Sequence, residues 1–108
     1  MANTFKNAYH DVTASLADAY TTPGSTTSIV LTLRITNVDG ANDATVDARV
    51  VDGSSGDSYL AYELSVPADT TVELAGTSKI VLETGDKIQL KGSAASDLEA
   101  FISVLQIT

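Results

Sequence analysis

The chain has 108 residues, of which 44% are apolar and 19% charged, a composition that can bury the core of one domain spanning residues 1–108. Its formal net charge of −8 argues against binding to nucleic acid or to an anionic membrane surface, because both would repel it. Cysteine is absent, which excludes disulfides and thiolate metal sites, and no apolar run reaches the roughly 18 residues that a membrane-spanning helix needs.

The N-terminal segment, residues 3–20, is compatible with either helical or extended structure. The pair Val12-Thr13 and the alternation of apolar and polar residues from Ser15 to Tyr20 favour two short strands. The segment lacks the basic region followed by an apolar stretch that marks a secretory signal, so we do not expect it to be one.

The clearest strand lies between the turn signals Pro23-Gly24 and Asp39-Gly40. Apolar residues alternate with more polar ones along it and predict one buried side. That side comprises Ile29, Leu31, Leu33 and Ile35. Because Asp-Gly is a strong hairpin signal, residues 44–50, which alternate in the same way, are predicted to pair with this strand.

Short strands separated by turn signals then recur every eight to twelve residues. The turns are predicted at residues 52–57, 67–69, 75–77 and 83–86. The strand that ends before Pro67 is predicted to turn Leu60, Tyr62, Leu64 and Val66 towards the core. The whole pattern predicts an all-β fold, a single antiparallel β-sandwich of Ig-like or jelly-roll type with about eight short strands.

The last strand is apolar on both sides. Leu98, Ala100, Ile102 and Val104 alternate with a second set that includes Phe101, Leu105 and Ile107. Such a strand is either central between two covered faces or part of a subunit interface. Under the second interpretation, the candidate interface residues are Phe101, Leu105 and Ile107.

No motif in the sequence predicts catalysis. His10 is the only histidine, its neighbour Asp11 would point to the opposite face of a strand, and no Gly-x-Ser-x-Gly nucleophile turn occurs. The glycines are scattered singly at turns, so no phosphate-binding loop is formed, and the six basic residues are dispersed. We therefore predict no catalytic residue, no cofactor and no enzymatic activity.

Two kinds of binding site stay open. Oxygen-bearing side chains in the turns could bind calcium, although the order of an EF-hand loop is absent and turn formation explains the same residues. These side chains belong to Asn37, Asp39, Asn42, Asp43, Asp52 and Asp57. Alternatively, exposed tyrosines could stack on a sugar, or could instead lie at the edge of the core. The four tyrosines are Tyr9, Tyr20, Tyr59 and Tyr62.

Several blocks of the chain together resemble a known group of proteins. They are Tyr20–Val30 (YTTPGSTTSIV), Ile35–Asp47 (ITNVDGANDATVD), Val66–Leu74 (VPADTTVEL), Ile80–Leu90 (IVLETGDKIQL) and Leu98–Ile107 (LEAFISVLQI). Their layout resembles the small virion structural proteins of tailed bacteriophages, particularly those of marine hosts. The shared features are turn and strand signatures that frame an Ig-like or jelly-roll sandwich.

This resemblance implies a non-enzymatic virion structural protein, made in the host cytoplasm and located in the phage particle. The implied role is a capsid decoration or cement protein that docks in many copies on the head. The alternative is a component of the tail, neck or fibres, which could include a module for host-surface carbohydrate. The implied partners are the major capsid protein or other virion proteins, and further copies of the chain in a homo-oligomer.

Overall fold

A computed structural model describes residues 2–53, 56–75 and 78–108 of the chain. These residues form nine strands and no helix, which confirms the all-β prediction. The N-terminal segment contains two strands as predicted, but the first is ten residues long and lies earlier than expected. The strands are β1 (Asn3–Val12), β2 (Ala17–Thr21), β3 (Thr27–Asn37), β4 (Ala44–Val51), β5 (Asp57–Val66), β6 (Thr71–Glu73), β7 (Ile80–Leu82), β8 (Lys87–Gly92) and β9 (Leu98–Ile107).

The strands form two antiparallel sheets. In the first sheet, β9 lies between β1 and β3, and both β6 and β7 pair with the other side of β3; the second sheet has the order β2-β8-β4-β5. When β6 and β7 are counted as one interrupted strand, the fold has eight strands in chain order. The first of these pairs with the eighth, the second with the seventh, the third with the sixth and the fourth with the fifth, so the pairs are nested. This nesting is that of a jelly roll, so the jelly-roll form of the predicted sandwich is the one observed.

The gap between β6 and β7 is filled by a side chain. The Leu33 amide of β3 donates to the Glu73 carboxylate at 2.8 Å, and the Ala75 amide donates to the same oxygen at 3.1 Å. The carboxylate therefore replaces the backbone acceptor that an unbroken strand would offer to Leu33.

The core lies between the two sheets and is apolar. Burying one such aliphatic side chain contributes roughly 1.5–3 kcal/mol. The largest fully buried side chains are Leu33, Ile35, Leu82, Ile88, Leu90, Leu98 and Ile102. As predicted, one face of β9, from Leu98 to Val104, belongs to this core.

The predicted alternation along β3 holds at Leu33 and Ile35 but is wrong at Ile29 and Leu31. Val30 is the fully buried residue instead, because the pairing of β3 with β9 shifts by one residue between Val30 and Thr32. A one-residue shift turns every preceding side chain to the opposite face.

The predicted pairing of β3 with residues 44–50 is also wrong. β4 pairs with β5 and β8 in the second sheet, so the segment containing Asp39-Gly40 crosses between the sheets. The Asp39 carboxylate accepts hydrogen bonds from the amides of Ala41 (2.8 Å) and Asn42 (3.2 Å). Asp-Gly thus forms a turn, as its chemistry favours, but the turn belongs to a crossover.

The predicted inward face of β5 is correct only towards its end. Leu64 and Val66 face the core with Ala61, but Leu60 and Tyr62 are exposed. The register with β4 shifts on both sides of Ala48, and two such irregularities within one strand re-aim its side chains.

The turns are as predicted where the structure describes them. Pro67 follows the last residue of β5, and the turn at 83–86 is closed by the Asp86 amide donating to the Glu83 oxygen at 2.9 Å. Gly85 has a φ of 86° there, which favours glycine. The predicted turns at 52–57 and 75–77 include residues 54–55 and 76–77, which lie outside the described residues.

Candidate interaction surface

The outer face of the first sheet, which points away from the core, contains the predicted interface residues. Because β9 is central and its inner side is buried, Phe101, Leu105 and Ile107 lie on this outer face, where each is half-buried. The central-strand interpretation of β9 is therefore correct for its inner side. Its outer side is available for contacts.

An apolar row crosses the whole sheet at Leu105. Strand pairing aligns Phe5 of β1 with Leu105, Leu105 with Ile29 of β3, and Ile29 with Val81 of β7. Leu105 and Ile29 are half-buried between their neighbours, whereas Phe5 is 73% and Val81 60% exposed. We call these four residues the apolar row.

The rows on either side of the apolar row contain no charged residue. One consists of Asn3, Ile107 and Thr27, and the other of Asn7, Ser103 and Thr32. In the second of these, the Ser103 hydroxyl donates to the Asn7 side-chain oxygen at 2.9 Å. We call the three rows together the neutral half of the outer face. These rows comprise ten residues without a charge, in a chain whose net charge is −8.

The other half of the outer face is aromatic and charged. The rings of Tyr9 and Phe101 have centroids 5.6 Å apart, and Arg34 lies 3.8 Å from the Glu73 carboxylate. Phe101 is thus separated from Leu105 and Ile107 by the Ser103 row. The structure groups Leu105 and Ile107 with Phe5, Ile29 and Val81, which sequence reasoning did not assign to the site.

A groove beside Phe101 contains the only histidine. This groove, of about 350 Å³, is lined by residues that include His10, Asp11 and Glu99. The His10 Nε2 atom is buried and has no hydrogen-bond partner among the described residues. A general base is oriented by a hydrogen bond to a third group, and this histidine has no such bond to either carboxylate.

Two of the side chains considered for calcium, Asn37 and Asp39, use their oxygens in hydrogen bonds within the crossover turn. Hydrogen bonds from the Ala41 amide, the Asn42 side chain and the Asn42 amide hold the pKa of Asp39 below its usual value. The Asn37 side-chain oxygen accepts from the Asp39 amide at 2.8 Å. Among the described residues, no three His, Asp or Glu side chains converge as a metal site would require.

The tyrosines occupy three separate places. Tyr20 points between the sheets, where its hydroxyl lies 2.7 Å from the Ser28 hydroxyl, and Tyr9 packs on Phe101. Tyr59 and Tyr62 form an edge-to-face pair, 5.0 Å between centroids, on the second sheet. Arg49 lies 6.0 Å from the Tyr59 ring and contacts Asp57 at 3.2 Å.

No helix among the described residues has the length and apolarity to cross a bilayer. Comparison with protein-family profiles gives no match to the chain. A search of curated proteins also finds no relative with significant sequence similarity.

Solved structures share the fold at low sequence identity. A chain from the disulfide-linked pili of Bacillus endospore appendages matches 99% of this chain and 87% of its own length, with a TM-score of 0.58 and 13% identity. A chain from the acid-stable capsid of Helicobacter pylori bacteriophage KHP30 matches 100% of this chain and 89% of its own length, with a TM-score of 0.54 and 10% identity. At these identities the likeness establishes a shared fold and nothing more.

Proposed function

We propose that this chain is a non-enzymatic structural protein of a phage virion. The observation that carries this proposal is the match, over the whole chain, to a chain of a phage capsid structure. The jelly roll is a recurrent architecture of viral capsid proteins. The endospore pilus chain is also a protein of a repeating assembly, but its disulfide linkage has no counterpart here, because this chain has no cysteine.

Within the virion, the role that we propose is a capsid decoration or cement protein that docks in many copies on the head. The outer face of the first sheet supports such a role, because Phe5, Tyr9 and Val81 are exposed there beside the half-buried Leu105. Exposed apolar surface of this kind is typical of protein contacts. A tail, neck or fibre component would use the same surface, but in fewer copies.

The copy number of the chain in purified particles tests this function. Quantitative mass spectrometry would compare it with the major capsid protein. A ratio near one supports decoration, whereas a ratio at least about tenfold lower supports a tail, neck or fibre position, since symmetric shells repeat their subunits many times. Absence of the chain from the particle would refute the virion function.

A second candidate function, binding of host-surface carbohydrate, is favoured by the Tyr59–Tyr62 pair. The two rings are 45% and 64% exposed on the second sheet, on a strand whose two register shifts re-aim its side chains. The nearby Arg49 and Asp57 supply fixed hydrogen-bonding groups beside the aromatic surface.

Binding of purified host-surface polysaccharide tests this second function. Replacing Tyr59 and Tyr62 with alanine should abolish the binding, whereas Tyr9→Ala, which changes a more exposed tyrosine on the other sheet, should not affect it. Unchanged binding by the double variant would refute the tyrosine site.

A further inference from the structure

We propose that the neutral half of the outer face binds the same surface of a second copy of this chain, forming a twofold-symmetric dimer. This inference deepens the proposed structural function, on which it rests, by naming the occupant of the surface. Leu105, Phe5, Ile29 and Val81 of the apolar row form its centre.

The distribution of charge favours a second copy as the occupant. A partner rich in basic residues would be attracted by the acids of this chain, and its docking surface would then contain some of them. The neutral half contains none, although Asp and Glu together number 14 in the sequence. A partner of the same negative charge, such as another copy, requires a contact without acids, because like charges brought together across an interface cost several kcal/mol.

The position of the charged residues is compatible with this symmetry. Exposed Lys79 and Glu83 flank β7, each two residues from Val81. The nearest charged row that paired strands form, which contains Arg34 and Glu73, is opposite Phe101, four residues along β9 from Leu105. That separation is about 13 Å at the rise of a strand, more than the Debye length of about 8 Å at physiological salt. A twofold axis along the apolar row places the charged rows of the two copies at opposite ends of the contact.

The size of the surface sets the expected affinity. Four strands about 4.8 Å apart and five residues long give a flat area of roughly 320 Å² per copy. Both copies together then bury less than the roughly 1,200 Å² of a standard stable interface, so the contact is of the weak class. We therefore expect a monomer–dimer equilibrium with a micromolar dissociation constant. The high local concentration of copies on a particle would shift this equilibrium towards the dimer.

Sedimentation equilibrium of the purified chain over a range of concentrations tests the dimer. Phe5→Asp and Val81→Asp change exposed side chains, so both variants should fold, and each should weaken dimerisation at least tenfold. Phe5→Leu, which retains an apolar side chain, should dimerise within about threefold of the original chain. The matched control is Tyr62→Asp on the second sheet, which is 64% exposed and should leave the dissociation constant unchanged.

Loss of the dimer in both aspartate variants but not in the control would support the proposal. A chain that stays monomeric up to about 1 mM would overturn it, and so would a dimer that survives both substitutions, given the micromolar expectation. If the chain is monomeric and Phe5→Asp prevents its binding to particles, the surface belongs to the shell and the dimer is wrong. That last result would leave the virion function intact. Conversely, a chain that dimerises in solution but is absent from purified particles would refute the virion function and leave the dimer intact.

Discussion

The Asn37 side chain joins the two sheets by donating a hydrogen bond to the Val66 backbone oxygen at 2.9 Å. Asn37 ends β3 in the first sheet and Val66 ends β5 in the second, and both residues are fully buried. The Asn37 side-chain nitrogen also donates to the Asn42 backbone oxygen at 3.0 Å, and the Asn37 side-chain oxygen accepts from the Asp39 backbone amide at 2.8 Å. One side chain thereby satisfies three backbone groups and fixes the crossover between the sheets.

We expect Asn37→Ala to destabilise the fold by about 3 kcal/mol, since buried backbone groups lose partners that water cannot replace. The measurement is the free energy of unfolding in urea. Asn42→Ala is the control, because that side chain is exposed and, among the described residues, bonds only to Asp39; its effect should stay below about 1 kcal/mol. Equal effects of the two substitutions would show that the inter-sheet bonds add no stability.

Tyr20 makes a second polar connection between the sheets. Its hydroxyl lies 2.7 Å from the hydroxyl of the buried Ser28 and accepts a hydrogen bond from the Gln106 side-chain nitrogen at 2.8 Å. Tyr20→Phe should therefore cost about 1–2 kcal/mol in thermal or urea unfolding. Tyr62→Phe, which removes an exposed hydroxyl, should change stability by less than about 0.5 kcal/mol. A Tyr20→Phe variant as stable as the original chain would contradict this connection.

Stability should fall in acid because two carboxyl groups have lowered pKa values. Asp39 is held low first by the Ala41 amide, and Asp18 first by the Gln89 side chain and then by Lys87, relative to an ordinary value of 3.8. The unfolded chain therefore binds protons at these carboxyl groups more tightly than the folded chain does. Their contribution to the free energy of unfolding is complete above about pH 4 and is lost as the pH falls through their folded-state pKa values.

This acid sensitivity is measured by the urea midpoint between about pH 5 and 2, the range spanning ordinary carboxyl pKa values. Asp39→Ala and Asp18→Ala should each flatten the decline of the midpoint below pH 4. Asp43→Ala is a comparison substitution in the same crossover segment. If the decline were as steep in all three variants as in the original chain, the two lowered pKa values would not govern it.

Lys6 protects the edge of the first sheet. It lies on the edge strand β1, between Phe5 and Asn7, whose side chains point outward. The Lys6 side chain is on the inner side of the strand, yet it is exposed. An inward charge on an edge strand prevents pairing with the edge of another molecule. Lys6→Ile should therefore increase aggregation, measured by light scattering, whereas Lys91→Ile on the central strand β8 should do so much less. Equal aggregation of the two variants would mean that the loss of charge alone is responsible.

The periodicity of the sequence predicts strands well but does not predict where they pair. The apolar residues on both sides of β9 are compatible with a central position or a subunit interface; the central position is observed, but the core covers only the inner side. The alternation along β3 misplaces Ile29, and that along β5 misplaces Tyr62, because a bulge inserts one residue without any mark in the composition. Asp39-Gly40 indicates a turn, but the sheet that receives the next strand depends on tertiary packing.

The candidate interface could be predicted only in part. Leu105 and Ile107 are visible because they lie in one continuous apolar strand. Phe5 and Val81 are far apart in the sequence and become neighbours of Leu105 and Ile29 only through the register of four strands. The absence of charge from the neutral half is likewise a property of rows across the sheet, which no window of the sequence samples.

Hydroxyl-radical footprinting of the chain in purified phage particles, compared with the free chain at low concentration, tests the central claim that this face is buried in a virion assembly. Oxidation of Phe5 and Leu105 should fall several-fold in the particle, because side chains in the core of an interface are shielded from solvent. Oxidation of Tyr62, on the opposite face, should remain close to its value in the free chain. Undiminished oxidation of Phe5 in the particle would contradict the claim, as would the absence of the chain's peptides from it.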